Sequence, residues 1–311
     1  MNQSIDTSIT ATTGYHTPVM LSEALEGLNI RPDGTYVDVT FGGGGHSRAI
    51  MERLGENGRL LAFDQDADAA ANAIDDPRFT LIGENFRHLK AFLRMHGVRQ
   101  ADGILADLGV SSHQFDTADR GFSTRMDGEL DMRMDSRSEV SARDLVNTLD
   151  EDSLANLLKL YGELPNARQM ARAIVKARSD KEINTTFELR DAVSRHLPRG
   201  MENKYLAMLF QALRIEVNGE LEALKEMLQQ ATSMLSVGGR LVVISYHSLE
   251  DRLVKNYMKT GNFEGELEKD FYGNVQAPLK MVSRGAIQAS DNELQRNTRS
   301  RSAKLRVAEK N

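Results

Sequence analysis

The chain has 311 residues, with 39 Lys and Arg against 45 Asp and Glu and a formal net charge of −6. This acidic balance excludes a protein that holds nucleic acid over its whole surface, so any such contact has to be a local basic patch. There is no cysteine, which excludes disulfides, thiolate metal sites and a cysteine nucleophile and fits a cytoplasmic protein; no apolar run reaches the roughly 18 residues of a membrane span.

Residues 1–13 are rich in Ser and Thr and lack the basic-then-apolar pattern of a secretory signal, so a disordered tail is expected there. From residue 35 short apolar runs alternate with helical patterns. Residues 35–41 read as a strand running into four glycines, Gly42, Gly43, Gly44 and Gly45. A helix over 47–54, a strand over 59–63 and an alanine-rich helix over 66–74 follow. A strand over 79–82, a helix over 86–96 and a strand over 102–107 complete the first half. Strands separated by helices of this length imply a parallel sheet covered on both faces, with ligands at the C-terminal ends of its strands.

The alternation then stops. Residues 112–138 are polar, with Met126, Met132 and Met134 set among acidic residues. Only helical patterns run from 141 to about 199; they include 147–160 and a helix opened by the capping box of Thr185 and Glu188. Helices over 206–217 and 221–235 come next, the second closed by Gly238 and Gly239. A buried strand over 240–245 leads to a helix whose capping signature is Ser248 with Asp251. Alternating apolar residues over 303–307 suggest a last strand. One α/β sheet interrupted by a helical insertion is therefore expected. The tail is 1–13, the sheet domain 14–115 and 205–311, and the insertion 116–204.

Backbone can approach a nucleotide-like ligand closely where no Cβ intervenes, and the glycine turn between strand and helix provides that. Asp64, closing the second strand, is placed to accept hydrogen bonds from ribose hydroxyls. Phe86 follows the third strand and can flank an adenine ring, and Asp107 ends the fourth strand at the lip of the second substrate. These residues leave two cofactors open. A nicotinamide dinucleotide favours G-x-G-x-x-G, and here Ser47 stands where the third glycine belongs; S-adenosylmethionine, which has no pyrophosphate, does not require it.

Longer motifs go further. His-Thr-Pro-Val-Met over 16–20, Asp-Val-Thr-Phe-Gly-Gly-Gly-Gly-His-Ser over 38–47 and Asp-Gly-Ile-Leu-Ala-Asp-Leu-Gly-Val-Ser-Ser over 102–112 occur in order. Arg-Gly-Phe-Ser over 120–123, Leu-Asp-Met-Arg-Met-Asp over 130–135 and Phe-Gln-Ala-Leu-Arg-Ile-Glu-Val-Asn over 210–218 follow. Ser-Tyr-His-Ser-Leu-Glu-Asp over 245–251 and Arg-Ser-Arg-Ser-Ala-Lys-Leu-Arg over 299–306 complete the set. Together they resemble the bacterial small-subunit ribosomal RNA cytosine-N4 methyltransferases, the RsmH or MraW family. The resemblance spans residues 15–309 and implies a Rossmann-like class I methyltransferase sheet. It implies transfer of a methyl group from S-adenosylmethionine to N4 of one cytidine in the decoding centre of 16S rRNA, within an assembled small subunit. By matching position it places Gly44, Gly45, His46, Asp64, Phe86, Asp107 and Gln114 around the cofactor.

The cytosine amine is a weak nucleophile, so the expected catalytic work is orientation and acceptance of its protons. Asp107 is the first candidate for that role beside its place in the cofactor pocket. His247, after the fifth strand, is the second, as a contact to the nucleotide or a proton acceptor. Phe115, Phe122 and Tyr246 are candidates to stack on the base. RNA contacts are expected from Arg168, Arg172 and Lys176, which lie four apart on one helical stripe, and from Arg299 and Arg301 of the basic C-terminal run. Asp127, Asp131 and Asp135 do not have the alternating ligands and central glycine of a calcium loop, so no metal is expected and a structural or substrate-lip role is assigned to them. The chain is compatible with a homodimer.

Overall fold

The computed structural model describes residues 18–267, 271–272 and 277–311; the tail expected over 1–13 lies outside them. The first half runs α1 (Leu21–Leu28), β1 (Thr35–Asp38), α2 (Gly45–Met51), β2 (Arg59–Phe63), β3 (Phe79–Ile82), α3 (Leu89–Met95), β4 (Ala101–Asp107) and α4 (Ser112–Asp116). Helices α5 (Ala142–Thr148), α6 (Glu151–Gly162), α7 (Ala167–Asp180), α8 (Thr186–Val193), α9 (Glu202–Asn218) and α10 (Glu220–Met234) follow. The chain closes with β5 (Leu235–Ser245), α11 (Ser248–Thr260), β6 (Leu279–Met281), β7 (Ile287–Gln288), α12 (Asp291–Arg296) and β8 (Lys304–Lys310).

The strands form one sheet in the order β3-β2-β1-β4-β5-β8-β6, with β7 paired to β8. β1 to β5 are parallel; β8 runs antiparallel between β5 and β6. The central strands are continuous apolar runs because both faces are covered. Alternation along them sorts the side chains. Val37, Leu61, Ile104, Leu241 and Val243 face α3, α10 and α11, while Tyr36, Leu60, Leu105, Val242 and Ile244 face α1 and α2.

A separate core runs from Phe122 to Leu213 and joins α5 to α9 with the buried Leu130, Met132 and Met134. This is the expected all-helical insertion. The boundary expected at 204 falls inside α9, whose Leu206, Leu209, Phe210 and Leu213 belong to the helical core. One continuous helix thus carries the insertion back to the sheet, with its last residue, Asn218, at the junction. There the Asn218 amide donates to Met132 O and its oxygen accepts from Met134 N.

Several elements differ from expectation. The helix expected over 66–74 is a single 3-10 stretch, Ala67–Asn72, started by the Asp66 side chain and ended where Asn72 turns to donate to Gly42 O. Six residues cannot nucleate an α-helix on propensity alone. The helix expected from 86 begins as a 3-10 turn over Phe86–His88. The pattern over 147–160 splits into α5 and α6 because Asp150 caps the second helix, accepting from Ser153 N. Gly238 and Gly239 do not close α10, which ends at Met234; they lie in β5 beside an irregular pairing with β4, and Gly238 has φ +76°. Thr185 and Glu188 form the expected reciprocal box.

The Met-rich acidic segment is irregular, not helical. Asp131 and Asp135 pair with Arg133 and Arg137, and Asp127 accepts from Phe187 N at the start of α8.

Candidate active site

The site is assembled where the parallel strands end. After β1 the chain crosses Thr40 and enters the glycine turn, in which Gly42 and Gly44 have φ +52° and +76°. A side chain at either would be strained. At Gly44 a Cβ would also lie 2.5 Å from the Arg48 guanidinium, and at Gly45 one would lie 2.3 Å from Pro18. Backbone conformation thus favours glycine at 42 and 44, and the approach of Pro18 favours it at 45.

Asp64 fixes this turn from the end of β2. One carboxylate oxygen accepts from Gly42 N at 2.7 Å and the other from Asp66 N at 2.9 Å. Burial pushes its carboxyl up to about 6, against those two hydrogen bonds. Each oxygen keeps a lone pair for a further donor.

Gln114 is buried and ties α4 to the same corner: its oxygen accepts from Ser111 N, and its amide donates to Asp66 at 2.7 Å. Arg120 completes the corner, 2.8 Å from Asp66 and 3.1 Å from Asp68, while donating to the carbonyls of Arg133 and Met134.

Thr40, Gln65, Phe86, Leu108 and Gly109 line a cleft over these strand ends, closed from the opposite side by Met134 and Asn218. Asn85 donates to Gln65 at its rim. Of the residues expected around the cofactor, Phe86 lines this cleft directly. Asp64 and Gln114 belong to the hydrogen-bonded corner beside it, which reaches the glycine turn through Gly42, and Gly44 and Gly45 follow in that turn.

His46 and Asp107 lie next to the cleft, joined to it through Thr40, whose hydroxyl accepts from Asp107 N. His46 Nε2 lies 3.1 Å from Val19 O, which only a ring N–H can satisfy, so Nδ1 faces Asp107 Oδ2 at 3.8 Å. Asp107 is held from three sides: its N–H donates to Thr40 Oγ1, Tyr246 donates its phenol proton to Oδ1 at 2.7 Å, and Oδ2 faces His46. Burial pushes the Asp107 carboxyl up to about 6, and His46 and the Tyr246 hydrogen bond offset only part of that. The side chain keeps 22% exposure. Burial raises the Tyr246 phenol well above its ordinary value, so it stays a donor.

His247 is not free at the mouth of the site. It is the N-cap of α11, in place of the expected Ser248, and its Nδ1 accepts from Glu250 N at 3.4 Å. Its buried Nε2 lies 3.1 Å from Glu250 Oε1, off the line of a hydrogen bond. Glu220, His247 and Glu250 bring donor atoms within 4.8 Å of one another. Arg214, bonded to both oxygens of Glu220, already supplies a positive charge there.

Of the aromatic candidates, Phe122 is buried in the helical core and Phe115 lies under the Arg299 guanidinium. Tyr246 alone touches Asp107. Arg299 joins the C-terminal segment to α4 through Asp116 and Ser112. Arg301 is exposed. On α7, Arg168 and Arg172 face the start of α6, where they pair with Asp152 and Glu151, and Lys176 is exposed.

Sequence reasoning did not single out Gln65, Asn85, Arg120 or the Arg214–Glu220–Glu250 cluster. Gln65 and Asn85 lie within three residues of the ends of β2 and β3, so the strand-end rule alone points to them. Arg120, Arg214 and Glu250 stand inside the quoted motifs, but their partners are distant in sequence.

A five-strand parallel sheet ordered 3-2-1-4-5, continued by an antiparallel strand and bearing this glycine turn and strand-end acids, is that of a class I methyltransferase. The chain belongs to the MraW methylase family, whose profile matches residues 13–311. It is 60% identical to the ribosomal RNA small subunit methyltransferase H of Bacteroides thetaiotaomicron, over 95% of this chain and 97% of that protein. The proteins of the same name from Flavobacterium johnsoniae and Cytophaga hutchinsonii are each 57% identical. The first covers 97% of this chain and 100% of that protein, the second 95% and 99%. Among the described residues no helix is long and apolar enough to cross a membrane.

Proposed function

We propose that the chain transfers a methyl group from S-adenosylmethionine to the exocyclic N4 amine of one cytidine in the decoding centre of 16S rRNA, acting in the cytoplasm on an assembled small subunit. The observation that carries this reading is Asp107: a part-buried carboxylate at the end of β4, between the glycine-turn histidine and a phenol donor. The relatives' names supply the ribosomal small subunit, and the family resemblance supplies the base and the position. A homodimer is compatible with the reading.

The residues present fit the cofactor. The cleft offers Phe86 and Leu108 as apolar faces for an adenine and Gln65 as an amide partner. Asp64, with lone pairs to spare, suits ribose hydroxyls. Asp107, a part-buried acid with a raised pKa, suits a neighbouring positive charge. When bound, S-adenosylmethionine supplies an activated methyl group on a sulfonium.

The protein's own part is orientation and proton acceptance. Asp107 Oδ1 is committed to Tyr246, so Oδ2 is the oxygen left to accept a hydrogen bond from the amine. That bond fixes the nitrogen and draws its lone pair out of the ring. The amine sheds one proton on methylation, and Asp107 Oδ2 is placed to take it. His247 serves as a positioning residue in this scheme, because its cap sets the start of α11 and with it Tyr246 and Glu250.

The test uses tritiated S-adenosylmethionine and small subunits from cells lacking the modification. Labelled N4-methylcytidine in the digested 16S rRNA is the expected product; label in another nucleoside, or none, overturns the reading.

Arg168, Arg172 and Lys176 on α7, with Arg299 and Arg301, are proposed to meet the RNA backbone. The pairs of Arg168 and Arg172 do not prevent this, since exposed ion pairs stabilise by only about 0–1 kcal/mol and can exchange for phosphate. Arg168→Glu with Arg172→Glu should weaken subunit binding and flatten the slope of log affinity against log salt by about two. An unchanged slope removes α7 from the RNA interface.

A further inference from the structure

Beyond Asp107, on the side away from the cofactor cleft, lies a second cavity of about 310 Å³. Its floor is the end of β5, Tyr246 with His247, and its walls are the segment after β7 and the run that leads into β8. Tyr246 separates the two spaces. Its hydroxyl is bonded to Asp107, a Cβ on Gly109 in the first cleft would lie 3.7 Å from its ring, and it also lines the second cavity. The two cavities thus share one aromatic wall.

The polar groups of this cavity are unevenly compensated. Lys304 is paired with Asp251, which also holds Arg306. Arg301, an exposed lining residue, has no ion pair among the described residues, and the exposed Gln288 lines the same cavity. The cavity therefore combines an aromatic wall, an amide and one uncompensated guanidinium. An aromatic wall suits stacking of a base, the amide suits its edge, and the guanidinium suits a phosphate.

Resting on the proposed RNA methylation, we infer that this cavity holds the nucleotide next to the target cytidine, its base against Tyr246 and its phosphate on Arg301. Tyr246 then couples recognition to chemistry. A base seated on one side of the ring fixes the phenol whose proton holds Asp107 on the other. The target itself is left to enter the gap at Asp107, one residue along the strand. Extrusion of a nucleotide breaks its stacking and pairing, and seating its neighbour offsets part of that loss.

Two variants test this in methyl transfer to unmodified small subunits. Arg301→Ala should raise KM for the subunit about tenfold, with a smaller fall in kcat, and reduce the salt slope by about one. Ala289→Phe, which fills the cavity from its wall, should lower kcat/KM about a hundredfold by displacing the strand. Both should bind S-adenosylmethionine and melt as the wild type does, which separates loss of the cavity from loss of the fold. Wild-type KM and salt slope in both variants overturn the inference while leaving the methylation reading intact. Failure of the wild-type protein to label the rRNA overturns the methylation reading itself.

Discussion

Asp107→Asn should nearly abolish methyl transfer while making the cofactor-free protein more stable at neutral pH. The expected fall in kcat is about 10²–10³, the size seen when one preorganised polar contact to a reacting group is lost. An asparagine can still accept the Tyr246 hydrogen bond, so geometry is largely kept and charge is removed. The stability gain follows from the raised carboxyl of Asp107, moved from 3.8 to about 6 mainly by burial. A raised acid favours the folded state while it is protonated, and this contribution is lost as pH rises through the folded pKa. At pH 8 the native protein carries a part-buried carboxylate at a cost of at most about 3 kcal/mol, from 1.36 kcal/mol per pKa unit. The neutral amide of the variant would not carry that cost. Melting of the two proteins should therefore differ at pH 8 and converge toward pH 4. Single-turnover rates of the wild type should fall below pH 6, and saturating S-adenosylmethionine should move that fall to lower pH, since a nearby positive charge stabilises the carboxylate. A variant with the wild-type rate, or one less stable than wild type at pH 8, removes Asp107 from this role.

Much of this site is legible in the sequence because its main parts are local. The central strands are unbroken apolar runs, and the acids Asp64 and Asp107 close two of them. The glycines stand where β1 must turn into a helix without a Cβ. What is not legible depends on partners far apart in the chain. Nothing near Asn218 marks it as the clamp on Met132 and Met134, and nothing near Gln114 announces Asp66. His247 reads as a free histidine because Ser248 with Asp251 offers the commoner capping signature one residue further on. The misread ends have local causes: an aspartate that starts a new helix at 150, and glycines at 238 and 239 that serve a strand irregularity. The insertion boundary is hidden because α9 is one uninterrupted helix serving two cores.

The second large effect is expected from Arg214→Met. Arg214 donates to both oxygens of Glu220 at 2.8 and 3.0 Å, and its side chain and that of Glu220 are only 17% and 11% exposed. Burial by itself would raise the Glu250 carboxyl, yet His247 and then Arg214 hold it below the ordinary glutamate value. Methionine fills much the same space and removes the charge, leaving two carboxylates together in a buried pocket. Breaking a buried pair in this way costs about 3–5 kcal/mol, far more than an exposed pair contributes. The loss should shrink as pH falls, because the stranded glutamates take up protons and stop repelling. Adding Glu220→Gln to Arg214→Met should recover a large part of the lost stability at pH 7, since it removes the carboxylate that lost its partner. The cluster also reaches the chemistry, for Glu250 accepts from Tyr246 N, and Tyr246 holds Asp107. Arg214→Met should therefore lower kcat even at temperatures where it is fully folded, and the double variant should restore melting temperature more than rate. Equal melting of Arg214→Met and wild type at pH 7 would show that the pair is not the structural support described, and an unchanged kcat would cut the link from α9 through Glu250 to the reacting carboxylate.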